Sequence, residues 1–202
     1  MKLIAFIFMM TTLLIAGCPS PGIHNVKPEY IPTAKEQIKG SIGTINLTII
    51  PNYTESFSMG KQGTLFIGKR VTPGQAQGIS FKDENGLTLL DAWKEALSAS
   101  IAESQLFNNS DDIKYDIQIL ITAIDGPGAF GTSPIKIDAK YKILNKDRLI
   151  LEKMINSTGK SDKHYFEGST RIRSAYRNSV RNSIELFMEE LLKNGNKLGD
   201  KL

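Results

Sequence analysis

Few side chains in this sequence could serve as nucleophiles, general bases or metal ligands. The 202 residues include one cysteine, Cys18, and two histidines, His24 and His164. A metal site needs several such ligands grouped together, whereas one histidine follows a proline-rich N-terminal stretch and the other lies in a distant loop. Asp162 precedes His164, but no nucleophile turn accompanies them, so we interpret this histidine as a solvated loop residue. The sequence therefore predicts no metal and no cofactor.

The sequence contains a partial match to one catalytic motif but no complete one. Residues 63–70, "GTLFIGKR", resemble a phosphate-binding loop, but Arg70 stands where that motif needs Ser or Thr. The motif also needs a helix next, and we expect "VTPGQ" not to begin one directly. The serine-hydrolase pattern G-x-S-x-G is absent, and Asp111 and Asp112 most simply shape a loop before a strand. We therefore predict no catalytic residues and no enzyme activity.

Three arginines form one candidate binding feature. Arg173, Arg177 and Arg181 are spaced four apart, so on a helix they lie in one row. Three positive charges in the N-terminal half of a helix interact unfavourably with the helix dipole, and Glu185, one turn beyond Arg181, offsets part of this cost. Two interpretations remain open: an ordinary solvated face, or a site for an acidic partner such as lipid phosphate, lipopolysaccharide or a protein surface.

Two irregular segments, 51–86 and 125–134, form a second candidate. Five aromatic residues lie in them: Tyr53, Phe57, Phe66, Phe81 and Phe130. Aromatic loops on a rigid scaffold often bind ligands. The same side chains could equally close the edge of a sheet or the core, and both interpretations remain open.

The lone cysteine ends the sequence "MKLIAFIFMMTTLLIAGC". Lys2 and about 13 mostly apolar residues fit a secretory signal peptide, because a helix that spans a bilayer needs about 20. The last four residues, Ile15-Ala16-Gly17-Cys18, resemble the lipobox of bacterial lipoproteins. That resemblance implies that residues 1–17 are removed and that Cys18 carries a lipid anchor in the membrane.

The residues after Cys18 bear on the choice of membrane. In lipoproteins an aspartate just after the lipidated cysteine tends to retain the protein in the inner membrane, and Pro19 and Ser20 stand here instead. The resemblance therefore implies the outer membrane, with the domain facing the periplasm. Without Lys2, 24 basic residues balance 21 acidic ones, which indicates no nucleic-acid partner. A single cysteine also allows no internal disulfide.

Hydrophobic periodicity predicts the elements that follow. We expect a flexible tether over 18–43, rich in Pro, Gly, Lys and Glu, and a strand from Thr44 to Ile50. Amphipathic helices are predicted over Thr88 to Phe107, with a capping-box-like pair at its start, and over Ser169 to Leu192. Three consecutive strands lie between them: "YDIQILITAID", "IKIDAKYKI" and "RLILEKMINST". Residues 44–194 thus form one domain, and 195–202 a disordered tail.

The middle strand decides how these elements pack. Its outward positions are charged, at Lys136, Asp138, Lys140 and Lys142, so this face of the sheet cannot carry a second apolar layer. Both helices must then pack on the other face. We predict an α+β fold: a two-layer sandwich of a mainly antiparallel sheet of about four strands with two helices packed on one face.

The predicted domain resembles small periplasmic outer-membrane lipoproteins of the lipopolysaccharide-assembly and YajG-like type. The lipobox, a helix ending in "SQLF", the paired strands and the closing helix "AYRNSVRNSIELFMEELL" carry this resemblance over most of residues 44–192. It implies a non-enzymatic accessory of a cell-envelope machine, whose partner is an envelope protein or lipopolysaccharide. The alternative is a carrier or sensor that holds a lipid or other amphiphile between helices and sheet.

Overall fold

The computed structural model describes residues 25–51, 54–58, 64–68, 71–80, 82, 86–126, 134–161 and 168–195. Within them the strands are β1 (Ser41–Ile49), β2 (Thr54–Ser58), β3 (Thr64–Gly68), β4 (Lys114–Asp125), β5 (Ile135–Asn145) and β6 (Arg148–Gly159). The helices are α1 (Pro73–Ser80), α2 (Leu89–Ser104) and α3 (Gly168–Lys193).

The main sheet has the strand order β1-β4-β5-β6, and β2 and β3 form a separate antiparallel hairpin. Strands β4, β5 and β6 are antiparallel, as their consecutive alternation predicted. Strand β1 joins the edge of the sheet parallel to β4, which is possible because a long connection returns the chain to the same end. The α+β prediction is confirmed, with a mainly antiparallel sheet of four strands and helices packed alongside.

The core lies between this sheet and the two long helices. Inward residues of β4 and β5 alternate with outward ones and are fully buried, among them Ile117, Ile119, Ile137 and Tyr141. The ring of Tyr141 stacks on Phe187 of α3 at 4.1 Å. Burial of each such side chain contributes about 1.5–3 kcal/mol, so this layer supplies much of the driving force for folding.

The opposite face of the sheet is polar, as the charged outward positions predicted. Lys140 and Lys142 both form ion pairs with Glu152 on β6, at 3.2 and 3.6 Å. The side-chain amide of Asn156 donates to Asp138 across the same two strands. No apolar layer is needed on this face, because cross-strand polar contacts and water satisfy it.

The start of α2 is capped as predicted. Its N-cap Thr88 and Asp91 exchange hydrogen bonds between side chain and backbone, both 3.1 Å long. The Thr88 hydroxyl also donates to the Asp91 carboxylate at 2.7 Å. This bond, together with the one from the Thr88 N–H, is the main reason that the pKa of Asp91 lies below its ordinary value. A carboxylate in the first turn also interacts favourably with the helix dipole, so the cap fixes where α2 begins.

Helix α1 corrects the expectation that "VTPGQ" cannot begin a helix. Pro73 is the first residue of α1, and the lack of an N–H costs nothing at that position. Thr72 precedes it as a cap: the N–H of Gln75 donates to Thr72 Oγ1, and the N–H of Thr72 donates to Gln75 Oε1. The sequence "TPGQ" is thus a capping box.

The tether prediction is wrong over residues 25–43. Three apolar residues of this stretch are buried: Val26, Ile31 and Ile38. The N–H of Ala34 donates to the carbonyl of Ser104, and Ile38 pairs with the chain that follows α2. These apolar residues follow no helix or strand period, so their docking left no periodic signal in the sequence. Below, residues 25–40 are called the docked segment.

Several sequence-based predictions lie outside the described residues. They include the signal peptide 1–17, Cys18, the first part of the tether, and both histidines. Of the predicted disordered tail, 195–202, the structure describes only Gly195, which is helical. Within the near-match to a phosphate-binding loop, the residues "TLFIG" form strand β3, which pairs with β2.

Candidate binding cleft

A cleft of about 460 Å³ opens at one end of the domain. Its walls come from the docked segment, the start of β1, the C-terminal half of α2 and the loop after α2. The residues that line it are Gln37, Ser41, Ile42, Ser98, Ile101, Ala102, Gln105, Phe107, Asn108 and Asn109. We call this set the binding cleft.

The chemistry of the binding cleft is apolar at the base and neutral-polar at the rim. Ile101 and Phe107 are buried at its base, whereas Ser98, Gln105 and Asn109 are exposed around it. Amide side chains both donate and accept hydrogen bonds, and no lining residue is ionisable. An apolar base with a few convergent polar groups is typical of a ligand site, and this one fits an uncharged polar ligand.

The backbone around the binding cleft is held in an uncommon conformation. Gln105, which ends α2, and Asn109 both have positive φ, 53° and 58°. The left-handed region is sparsely populated by residues other than glycine. The turn between them is fixed by Asn108, whose side-chain carbonyl accepts hydrogen bonds from the N–H groups of Gly40 and Ser110. The rim is therefore preorganised rather than formed on binding.

The docked segment reaches the domain beside this cleft. Lys27 forms an ion pair with Glu103, the neighbour of Ala102 in the cleft lining. Further along the docked segment, Ile38 donates its N–H to the carbonyl of Leu106, and Gln37 lines the cleft itself. The part of the chain that follows the predicted lipid anchor thus builds one wall of the binding cleft.

The three arginines of the predicted row differ in exposure. Arg173 is exposed, Arg177 is only 8% exposed, and Arg181 is half-buried. The Nη2 of Arg181 donates to the carbonyl oxygen of Asn25 at 2.6 Å. The spacing places them on one helical stripe that is unevenly exposed, and a site there for an acidic partner stays a prediction.

The aromatic-loop candidate lies mostly outside the described residues. Tyr53, Phe81 and Phe130 are not described, and of Phe57 and Phe66 only the backbone pairing in the β2–β3 hairpin is described. Across the described ranges, no three His, Cys, Asp or Glu side chains group as metal ligands. No helix in those ranges is long and apolar enough to cross a membrane.

Sequence reasoning missed the binding cleft because its residues carry no charge or nucleophile. One signal was present: the run "SQLFNN" at the end of α2 puts Gln and Asn where a helix commonly ends in glycine. A non-glycine residue at a left-handed helix end is one mark of a site where strain is retained.

Comparisons with known proteins do not assign a family. No protein-family model matches this chain, and no curated protein matches it. A Xanthomonas campestris protein of the family DUF330 is similar with a TM-score of 0.48 and 9% identity, over 85% of this chain and 96% of that one. A candidate lipoprotein from Caulobacter crescentus has a TM-score of 0.36 and 8% identity, over 52% of this chain and 80% of its own. At such TM-scores we draw no conclusion about function.

Proposed function

We propose that this protein is an outer-membrane lipoprotein whose periplasmic domain binds a component of a cell-envelope machine through the binding cleft. The lipobox ending in Cys18 supports the anchor. The neutral, preorganised rim of the binding cleft supports the binding role. Nothing in this function requires catalysis.

One observation carries the proposal: the docked segment joins the predicted anchor to the wall of the cleft. Eight residues lie between Cys18 and Lys27, and a fully extended chain between the two spans about 30 Å at most. Because Lys27 is paired beside Ala102, the binding cleft stays close to the membrane that holds the lipid. Its partner must therefore also lie at that membrane.

The chemistry of the cleft selects among partners. A phosphate of lipopolysaccharide would need a cationic site, and no lysine or arginine lines the binding cleft. Exposed amides such as Gln105 and Asn109 suit the backbone of an uncharged polypeptide segment, which both donates and accepts. The partner proposed for this site is therefore an envelope protein.

The carrier alternative has less support. It requires room for an amphiphile between the helices and the sheet, and large side chains fill the described part of that layer. Tyr141 stacks on Phe187, and the indole N–H of Trp93 donates to the Tyr141 hydroxyl. Well-packed interiors leave few voids larger than a water molecule, so this layer favours docking over carriage.

Site-specific photo-cross-linking tests the proposal. A photoreactive residue is placed at Ser98 or Gln105 in the full chain, with Glu189 on the exposed face of α3 as the matched control. We expect both cleft positions, but not the control, to give one adduct with the same membrane protein in intact envelopes. Ser98→Arg, which adds a charge to the cleft rim, should reduce the adduct formed from Gln105. No adduct, or equal adducts from all three positions, would contradict the proposal.

A further inference from the structure

The two edges of the main sheet differ in how their backbone groups are protected. At the β6 edge, the side-chain amides of Asn178 and Asn182 donate to the carbonyls of Lys160 and Thr158, both at 2.8 Å. Helix α3 crosses so closely that a Cβ on Gly159 would lie 2.1 Å from its backbone. Natural proteins block sheet edges with such devices, so this edge is closed to another strand.

Beyond the register shift between Ile42 and Ile45, the β1 edge has no such device among the described residues. Its sequence, "SIGTINLTI", contains neither a charged residue nor a proline. The N–H of Ile50 donates to Ile121 on β4, so by strand alternation the backbone groups of Ile45, Leu47 and Ile49 point away from β4. In the part of the chain that the structure describes, only β4 pairs with β1. These three residues thus present a row of unpaired donors and acceptors.

The side chains of β1 make this edge complementary to itself. On the helix side Ile45, Leu47 and Ile49 are half-buried and aliphatic, and on the open side Asn46 and Thr48 are exposed and neutral. An antiparallel copy of such a strand places aliphatic groups opposite aliphatic groups and hydrogen-bonding groups opposite their own kind. The chain carries a net charge of +4, and two copies meet no like-charge pair within this uncharged strand.

We propose that β1 pairs with β1 of a second copy of this chain, with Leu47 opposite Leu47 of that copy. In this register Ile45 faces Ile49 of the other copy, and Asn46 faces Thr48. The outward backbone groups then exchange roughly six hydrogen bonds, and the four-stranded sheet of each copy continues into the other. A two-fold axis relates the copies, with the helices of both on the same side.

The expected strength of this strand pairing, but not its geometry, rests on the proposed function. A pair of short strands buries less than the roughly 1,000 Å² typical of a specific interface, so the contact is weak in dilute solution. Lipid anchors confine both copies to one surface and raise their effective concentration. Pairing is therefore expected in the membrane.

Disulfide trapping in intact envelopes tests the pairing. The full chain carries Asn46→Cys and Thr48→Cys together, because the proposed register places these positions opposite each other about 4.5 Å apart between Cα atoms, within disulfide range. The matched control carries Asn156→Cys and Thr158→Cys, which are exposed and equally spaced on β6. We expect a covalent dimer, reversed by reductant, from the β1 pair and none from the β6 pair or the wild-type chain.

A third variant separates pairing from folding. Leu47→Pro in the β1 cysteine pair removes an N–H that points away from β4, so the ladder within the sheet keeps its bonds. This variant should retain its circular dichroism and give at least tenfold less dimer. No dimer from the β1 pair, or equal dimer from both pairs, would overturn the proposal. A trapped dimer without cleft adducts would instead reject the proposed function and leave this inference standing.

Discussion

Arg181 in the last helix and Asn25 at the start of the described chain are joined by a 2.6 Å hydrogen bond across 156 positions. The guanidinium Nη2 donates and the backbone carbonyl accepts. Together with the ion pair of Lys27 and Glu103, this bond makes the docked segment part of the domain rather than a free tether. The binding cleft therefore lies closer to the predicted lipid anchor than it would at the end of a free tether.

Replacing Arg181 should loosen the docked segment. Arg181→Ala removes a charge-assisted hydrogen bond at a half-buried site, and we expect the free energy of unfolding to fall by about 1 kcal/mol. Trypsin should then cleave after Lys35 several-fold faster. Limited proteolysis followed by mass spectrometry measures this. Arg173→Ala, on the exposed part of the same helix, is the control, and equal cleavage rates in both variants would show that Arg181 does not hold the segment.

Removal of the buried hydroxyl of Tyr141 should lower the free energy of unfolding. Tyr141 accepts from the indole N–H of Trp93 at 3.1 Å and shares a 2.9 Å hydrogen bond with Ser183. Burial raises the pKa of Tyr141 far above its ordinary value, so the hydroxyl stays neutral. Tyr141→Phe leaves two buried groups without this partner, and urea unfolding should show a loss of about 1–3 kcal/mol. Tyr30→Phe, at a residue 75% exposed, should change nothing; an equal effect of both would refute the account.

The link between β1 and β4 should weaken at low pH. The Oγ1 and the N–H of Thr44 both donate to Asp116 Oδ1 at 2.7 Å, and these bonds lower the pKa of Asp116 below its ordinary value. A group whose folded pKa is lowered stabilises the protein above its unfolded pKa, and that contribution is lost as the pH falls through the folded value. Wild type should therefore exceed Asp116→Asn in stability at pH 7.

The measurement for Asp116 is urea unfolding of both proteins between pH 7 and pH 2.5. The difference in the free energy of unfolding should be constant above about pH 5 and shrink progressively below pH 4. Asp125→Asn, at the exposed end of β4, is the control and should differ little from wild type throughout. A wild-type advantage of the same size at pH 7 and pH 2.5 would contradict the assignment.

Local patterns predicted most of the fold. In β5 the residues from Ile135 to Ile143 alternate between buried and at least partly exposed, because one face of the sheet meets the helices and the other meets water. Helix α2 was predicted from its apolar stripe and its cap at Thr88, because both patterns depend on residues only a few positions apart in the sequence.

Long-range contacts account for what the sequence did not predict. The parallel placement of β1 depends on a partner about 70 residues away, and alternation alone does not specify direction. Val26 and Ile38 are buried through an irregular segment, which has no period to detect. Pro73 suggested a break where a capping box begins a helix. The binding cleft is assembled from neutral residues of two stretches far apart in sequence, 37–42 and 98–109, and no motif joins them.

The proposed lipid anchor at Cys18 sets where this domain works, and the intact mass of the full chain recovered from bacterial membranes tests that anchor. We expect a chain that begins at Cys18, lacks residues 1–17 and carries the added mass of a diacylglyceryl group and an amide-linked acyl chain. A Cys18→Ala variant should keep residues 1–17 and carry no lipid. A wild-type chain that retains residues 1–17, or one that is cleaved but not lipidated, would contradict the proposed anchor.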